Sequence, residues 1–200
     1  MPAVIRGATE ADRDALYDIC VRTGDAGSDA RHLLHHHRLY GHLWAGQYLA
    51  FEPSFAMVAE LEGEVVGYVL GALDTAAFEA VLRQHWWPGL QREHPLPGDG
   101  TAKDLELVAR LHHPDRTDER ITSRYPSHLH INLLGHAQGQ GLGRAMMGTL
   151  LSAFRDAGSI GVHLGVSPHN TRALGFYEHL GLRRHDSGGG VLFTQHLHAE

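Results

Sequence analysis

Cysteine is nearly absent from this 200-residue chain, which contains a single one, Cys20. One cysteine excludes an internal disulfide, and its place in a predicted amphipathic helix favours a small buried side chain over a reactive thiol. A chain of this length buries roughly 70% of the surface that its unfolded form exposes, so no crosslink is required. We expect a cytoplasmic protein, either a monomer or a homodimer.

The sequence also lacks long hydrophobic runs and an excess of basic residues. No stretch approaches the roughly 20 apolar residues of a membrane span, and the N-terminus has no basic segment followed by an apolar run. The formal net charge is -6, with 23 acidic and 17 basic residues. This balance argues against a general nucleic-acid surface and is compatible with a cationic acceptor such as an amine. We expect no membrane and no nucleic-acid partner.

The hydrophobic pattern predicts a mixed α/β chain without internal repeats. The predicted strands are 4–6, 57–61, 65–73, 128–134, 161–166 and 191–197. The predicted helices are one that begins at Thr9, then 30–49, 75–91, 102–111, 141–156 and 170–180. The strand, helix, strand order over 128–166 has a short crossover, which implies a parallel pair. We predict one domain over 1–200, with a helical insertion at about 74–127.

The segment Gln138 to Gly143 (QGQGLG) lies between a predicted strand and an amphipathic helix. Unpaired backbone N–H groups and the helix dipole at such a position favour a bound phosphate. Gly139, Gly141 and Gly143 allow positive φ angles and a close approach of diphosphate oxygens. Arg144 adds positive charge in the first helical turn. Neither the G-x-G-x-x-G spacing nor the G-x-x-x-x-G-K-[ST] spacing fits this segment.

The pattern Q/R-x-x-G-x-G/A does fit, and with it the chain resembles the GCN5-related N-acetyltransferase (GNAT) family. A second segment, Asn170 to Leu182 (NTRALGFYEHLGL), is similar to the N-x-x-A-x-x-x-Y-x-x-x-G-F segment of that family. The resemblance implies a mixed, mostly antiparallel twisted sheet, with a central parallel pair splayed around acyl-CoA and helices on both faces. It implies acetyl-CoA as co-substrate. The expected cofactor-binding residues are Leu133, Leu134, Gln138, Gly139, Gln140, Gly141, Leu142, Gly143, Arg144, Asn170 and Tyr177.

The same resemblance makes Tyr177 the general acid that protonates the departing CoA thiolate. It also places a carbonyl-binding backbone N–H near Leu133 or Leu134, where family members carry a strand bulge. Acyl transfer by direct attack on the thioester in a ternary complex is expected, because no cysteine accompanies the motifs. The acceptor is an unidentified primary amine.

The candidates for the general base are His130 and His128. On the strand they share one face with Asn132, and a neutral imidazole with a pKa near 6.5 accepts a proton at neutral pH. A member of the resembled family has a similar His-Leu-His, but one residue further from the loop. Such a shift reverses the face unless a bulge compensates.

A looser resemblance joins this chain to the acetyltransferase-like C-terminal domain of O-GlcNAcases and its free-standing bacterial relatives. It depends on the insertion, on the strand 128–134 and on the FYEHLGL ending. Those relatives have an acid at the position of Asn132 and proline at that of Gly135. An alternative function is therefore a catalytically inactive acyl-CoA-binding protein. Two explanations are open for four aromatic residues in and near the insertion: they line an acceptor pocket, or they pack in the core. These residues are Phe78, Trp86, Trp87 and Tyr125.

A second alternative follows from the 18 histidines. His32, His35 and His36 have helical i, i+3, i+4 spacing, and two HxH pairs occur, His128/His130 and His196/His198; imidazoles on one face chelate zinc. No cysteine set or HExxH accompanies them. We therefore expect no metal.

Overall fold

The computed structural model describes residues 3–187 and 189–197. Its strands form one seven-stranded sheet in the order β1-β2-β3-β4-β5-β7-β6. The strands are β1 (Val4–Gly7), β2 (Ala56–Leu61), β3 (Glu64–Ala72), β4 (Ser127–Leu133), β5 (Gly161–Val166), β6 (Arg183–Ser187) and β7 (Gly190–His196). The pair β4 and β5 is parallel, whereas the other neighbours are antiparallel.

The helices are α1 (Arg13–Arg22), α2 (Arg38–Trp44), α3 (Gly46–Phe51), α4 (Thr75–His85), α5 (Trp87–Glu93), α6 (Ala102–His112), α7 (Glu119–Thr122), α8 (Leu142–Asp156) and α9 (Thr171–His179). Short 3-10 turns occur at Glu10–Asp12, Arg31–Leu33, Pro53–Phe55 and Gly135–Ala137. Within the described residues, no helix has the length and apolar character needed to cross a bilayer.

Two apolar clusters cover the sheet. One joins helices α1 to α6 to strand residues such as Leu70, and the other joins α8 and α9 to residues such as Val69. Because consecutive strand residues point to opposite faces, helices lie on both sides of the sheet. This arrangement confirms the predicted mixed, mostly antiparallel sheet with one central parallel pair. Cys20 is buried, and burial raises the pKa of its thiol to about 12.

The hairpin of β2 and β3 closes through a two-residue turn. Glu62 has φ 54° and Gly63 has φ 87°, and positive φ angles at both turn residues match the twist of the flanking strands. The predicted hairpin is confirmed.

The predicted helix 30–49 is wrong, because this segment is broken twice. Leu34 is extended (φ -129°, ψ 145°), and the backbone N–H groups of His35 and His36 donate to the Asp104 carboxylate, not along a helix. Ala45 then separates α2 from α3. Tertiary hydrogen bonds therefore override the apolar periodicity of the segment.

The segment between β3 and β4 contains helices α4 to α7. The predicted helix 75–91 is divided at Trp86, and Pro88 lies in the first turn of α5, where its missing N–H is tolerated. Strand β6 has no counterpart among the predicted strands. It is a polar edge strand, Arg183 to Ser187, without an apolar alternation.

Asp104 fastens α6 to the chain before α2. Its fully buried carboxylate accepts hydrogen bonds from the backbone N–H groups of His35, His36 and Thr101 and from the Thr101 hydroxyl. Burial alone raises the pKa of Asp104, but these hydrogen bonds outweigh burial and lower it. The ionised Asp104 carboxylate therefore stabilises the folded state fully above the unfolded-state pKa of about 3.9. This stabilisation is lost as the pH falls through the lower folded-state pKa of Asp104.

Replacing Asp104 with Asn should lower the free energy of unfolding by about 2 kcal/mol at pH 7, because one acceptor oxygen becomes an N–H donor facing other donors. Urea denaturation measures this loss. Glu106→Gln is the matched control, since Glu106 lies on the same helix and forms an exposed ion pair with Lys103, so about 0–1 kcal/mol is expected. Equal losses in both variants would contradict the assignment.

Candidate active site

Strands β4 and β5 diverge soon after they meet. Their parallel pairing involves Ser127 with Val162 and His128 with His163. Beyond these pairs, β4 continues along β3 as far as Leu133 opposite Gly67. The last residues of β4 thus border a gap on the side of β5, and the backbone groups that face this gap have no partner in a neighbouring strand.

A cavity of about 560 Å³ occupies this end of the sheet. The end of β4, the glycine loop and α9 form its walls. Among its lining residues are Leu133, Gln138, Gly139, Arg144, Asn170 and Tyr177. The structure therefore brings the two sequence motifs, which are more than 25 residues apart in the chain, to one cavity.

The glycine loop leads directly into α8. Gly139 and Gly141 both have φ 78°, and Gly141 is the N-cap of the helix. The expectation of a positive φ is wrong for Gly143, which lies within the helix. There a Cβ atom would lie 3.2 Å from Phe176 and 3.3 Å from Leu133, so this glycine permits close packing. The first N–H groups of α8 have no intrahelical acceptor, which suits an anion.

The backbone at the end of β4 decides which amide faces the gap. Leu134 N–H donates to Val66 O at 2.9 Å, so of the two predicted carbonyl-binding donors, Leu133 and Leu134, the second is wrong. Because bonded pairs alternate along antiparallel strands, the amide of Leu133 points away from β3. Its carbonyl accepts from Gln138 Nε2 at 2.6 Å. The expected bulge is also absent, since β4 keeps one register with β3 from His128 to Leu133.

Tyr177 lies on α9 and lines the cavity. Its side chain is buried against Phe176 and Phe193, and burial raises the pKa of its hydroxyl, which is therefore protonated at neutral pH. Within the described residues this hydroxyl has no hydrogen-bond partner. Asn170 caps α9, because its Oδ1 accepts from Ala173 N at 3.0 Å. Its Nδ2 is left for a ligand.

A second cavity, of about 610 Å³, begins where the first one ends along β4. The first cavity reaches Ile131, Asn132 and Leu133, and the second reaches residues 128–130. The second cavity also has an aromatic and imidazole wall formed by Trp44, Tyr48, Phe78, Trp87, His130 and His163. Consecutive residues of one strand therefore border two different cavities.

His128 has both ring nitrogens engaged. Thr75 Oγ1 donates its single proton to Pro126 O at 2.7 Å, so it accepts from His128 Nδ1–H at 2.8 Å. Nε2 then accepts from the Tyr48 hydroxyl at 2.7 Å. Burial, with smaller effects of His130 and His163, lowers the pKa of His128 well below its usual value. His128 is thus a neutral acceptor that orients Tyr48, which argues against it as a free general base.

His130 differs from its neighbour on the same face. Its ring packs edge-on against Tyr48, and within the described residues its nitrogens have no hydrogen-bond partner. Burial, followed by the charges of His163 and Arg110, lowers its pKa to about 4. His130 is therefore unprotonated at neutral pH and faces the second cavity with a free lone pair.

The comparisons with known proteins agree with this geometry. The model of the acetyltransferase (GNAT) family matches residues 109–182. The solved structure of SsHAT superposes with a TM-score of 0.92 at 37% identity, covering 100% of both chains. The chain belongs to the GNAT acetyltransferase family.

Two further relatives place this GNAT chain among more distant proteins. Protein O-GlcNAcase of Rattus norvegicus is 27% identical over 180 residues, which cover 88% of this chain and 20% of the relative. The chain therefore spans about a fifth of that relative's length. The yncA putative acetyltransferase of Salmonella typhimurium, solved with acetyl-CoA, has a TM-score of 0.57 at 16% identity and covers 99% of this chain and 95% of that one. This last likeness shows the fold alone.

Some predicted residues of this GNAT domain lie outside the first and the second cavity. Leu142, the first residue of α8, is buried in the core. The Gln140 side chain donates to His136 O at 2.9 Å. Trp86 donates its indole N–H to His42 O, and Tyr125 packs against His196. Of the four predicted aromatic residues, Phe78 and Trp87 line the second cavity, whereas Trp86 and Tyr125 do not.

Other lining residues were missed by the sequence reasoning. Arg172 borders the first cavity from the first turn of α9, and its place inside the second motif was a usable signal. Thr23 and Gly27 border it from the chain after α1, and no local pattern indicates this. Tyr48, which lines the second cavity, lies within the segment predicted as the helix 30–49 and had no predicted role.

The predicted metal-binding histidines do not form one site. His32 lies in a 3-10 turn, and His35 and His36 follow it in irregular chain, so the expected helical face is absent. His196 contacts Tyr125, and His198 lies outside the described residues.

Proposed function

We propose that this GNAT domain transfers an acetyl group from acetyl-CoA to a primary amine by direct attack in a ternary complex. The observation that carries the proposal is that two cavities are lined by neighbouring residues of β4. One cavity has the features of an acyl-CoA site, and the other offers a neutral imidazole and an aromatic wall to an acceptor.

The residues of the first cavity fit the CoA diphosphate. Gly139 and Gly141 expose backbone N–H groups at the start of α8, and no side chain at these glycines obstructs the approach. Arg144 and Arg172, both exposed at the first turns of α8 and α9, add positive charge at the rim. Gln138 holds the end of β4, and Asn170 offers its Nδ2 to the pantetheine arm.

The Leu133 N–H is proposed to hydrogen-bond the thioester carbonyl. A backbone donor at the end of a rigid strand stabilises the negative charge that develops on this oxygen. Tyr177, which is protonated, donates a proton to the thiolate as it leaves. His130 accepts a proton from the attacking amine, directly or through a water molecule.

The test uses purified untagged protein in two steps. Isothermal titration calorimetry should show binding of acetyl-CoA. A thiol-release assay should then show CoA formation that depends on an added amine, drawn from a panel of small amines, peptides with free N-termini and lysine peptides. Binding without amine-dependent thiol release across the panel would favour the inactive acyl-CoA-binding alternative instead.

Two variants test whether acetyl-CoA binds in the first cavity. Arg144→Gln should weaken acetyl-CoA binding up to roughly fivefold, as expected for the loss of one exposed charged contact. Arg183→Gln, on β6 and outside the cavity, should leave it unchanged. An equal effect of both variants would place the diphosphate elsewhere.

A further inference from the structure

A group of metal-ligating side chains lies apart from both cavities. Among the described residues, ligand atoms of His42, Glu93 and His94 all lie within 4.8 Å of one another. A tetrahedral ion at about 2.1 Å from each ligand requires separations of about 3.4 Å, so small rotamer adjustments close the group. Two imidazoles and one carboxylate with an open fourth position form a ligand set that Zn²⁺ uses.

Each histidine has one ring nitrogen to offer. His42 Nδ1 contacts the Tyr17 hydroxyl at 3.2 Å, which leaves Nε2 for an ion. A partner on the other ring nitrogen is the usual way in which a metal-binding imidazole is oriented. His94 Nε2 is buried and has no hydrogen-bond partner in the described part of the chain. A buried nitrogen of this kind is costly unless something binds it, and a cation would do so.

The electrostatics around His42 permit a divalent cation. Arg38 and Arg13 are the positive charges that act on the His42 ring. Both arginines are paired with carboxylates, Arg38 with Asp14 at 2.9 Å and Arg13 with Glu10 at 2.6 Å. Glu93 is exposed and gives the ion a path from solvent.

We propose that His42, Glu93 and His94 form a binding site for a divalent transition-metal ion such as Zn²⁺. The ion would join α2, which carries His42, to the end of α5, which carries Glu93 and precedes His94. Trp44 on α2 and Trp87 on α5 both line the second cavity, so the ion fixes two parts of the same wall. The proposal concerns binding of the ion and is independent of acyl transfer.

The test is titration of the untagged, EDTA-treated and dialysed protein with Zn²⁺ in competition with a chromophoric chelator. We expect one ion per chain. Glu93→Gln and His94→Gln should each weaken its binding at least tenfold. His113→Gln, an exposed histidine outside the group, should leave it unchanged. Glu93→Gln changes an exposed side chain and should fold normally, so a loss of binding in it reports on the site.

A second measurement reports on the connection between α2 and α5. Zn²⁺ should raise the melting temperature of the wild type and of His113→Gln, but not of Glu93→Gln. Two results would overturn the proposal. One is the absence of stoichiometric binding in the wild type. The other is equal affinity in all variants, which would place the ion on other histidines, such as those between 32 and 37.

Discussion

Replacing Tyr177 with Phe should lower kcat for amine acetylation about 100-fold while leaving the affinity for acetyl-CoA nearly unchanged. Tyr177 lines the first cavity, and the substitution removes only its hydroxyl, which has no hydrogen-bond partner among the described residues. General-acid catalysis contributes roughly 10²–10⁴-fold. A thiol has an unperturbed pKa near 8.5, so its thiolate is a fair leaving group at neutral pH, and the lower end of that range applies.

The measurements for this prediction separate chemistry from binding and folding. Steady-state rates at saturating acetyl-CoA give kcat, and calorimetry gives the cofactor affinity. Tyr40→Phe is the matched control, since Tyr40 is equally buried, packs against Trp44 and lies outside both cavities. Its kcat should stay within about twofold of the wild type. If Tyr177→Phe retained more than half of the wild-type kcat, the proton for the thiolate would come from another source.

The first cavity was largely predictable from the sequence because its parts are local. A strand, a glycine-rich turn and a helix N-terminus follow one another between Leu133 and Arg144, and the backbone of such a unit has few alternatives. Two details were not predictable. Gly143 serves packing against Phe176, not a positive φ, and the Leu134 amide is bonded to β3. Both depend on neighbours distant in the chain.

The second cavity shows the limit of local patterns. The alternation of β4 placed His128 and His130 on one face, which the structure confirms. The alternation did not show that only His128 has hydrogen-bond partners on its ring nitrogens. These partners, Tyr48 and Thr75, lie 80 and 53 residues from His128 in the chain. The predicted helix 30–49 failed for a similar reason, since Asp104 lies 69 residues from His35. Contacts of this range leave no periodic signal in the sequence.

The identity of the base leads to the second large expected effect. Replacing His130 with Gln should lower kcat/KM for the amine about 100-fold, because the proposed general base is removed. Gln keeps a polar side chain of similar length in the cavity. His128→Gln separates the two histidines. Because both ring nitrogens of His128 are engaged, by Tyr48 and Thr75, kcat/KM should fall less in His128→Gln than in His130→Gln. The reverse order would make His128 the base.

The pH dependence provides a readout that a merely structural role would not change. A histidine with a pKa of about 4 is unprotonated from about pH 5 upward and is inactivated only as the pH falls through that value. With an electron-poor arylamine acceptor such as p-nitroaniline, which itself stays neutral to well below pH 4, kcat/KM of the wild type should be flat between pH 5 and 8 and fall near pH 4. The residual activity of His130→Gln should lack that fall. A wild-type midpoint near 6.5, the ordinary value for histidine, would mean that the proton acceptor is a different, exposed imidazole.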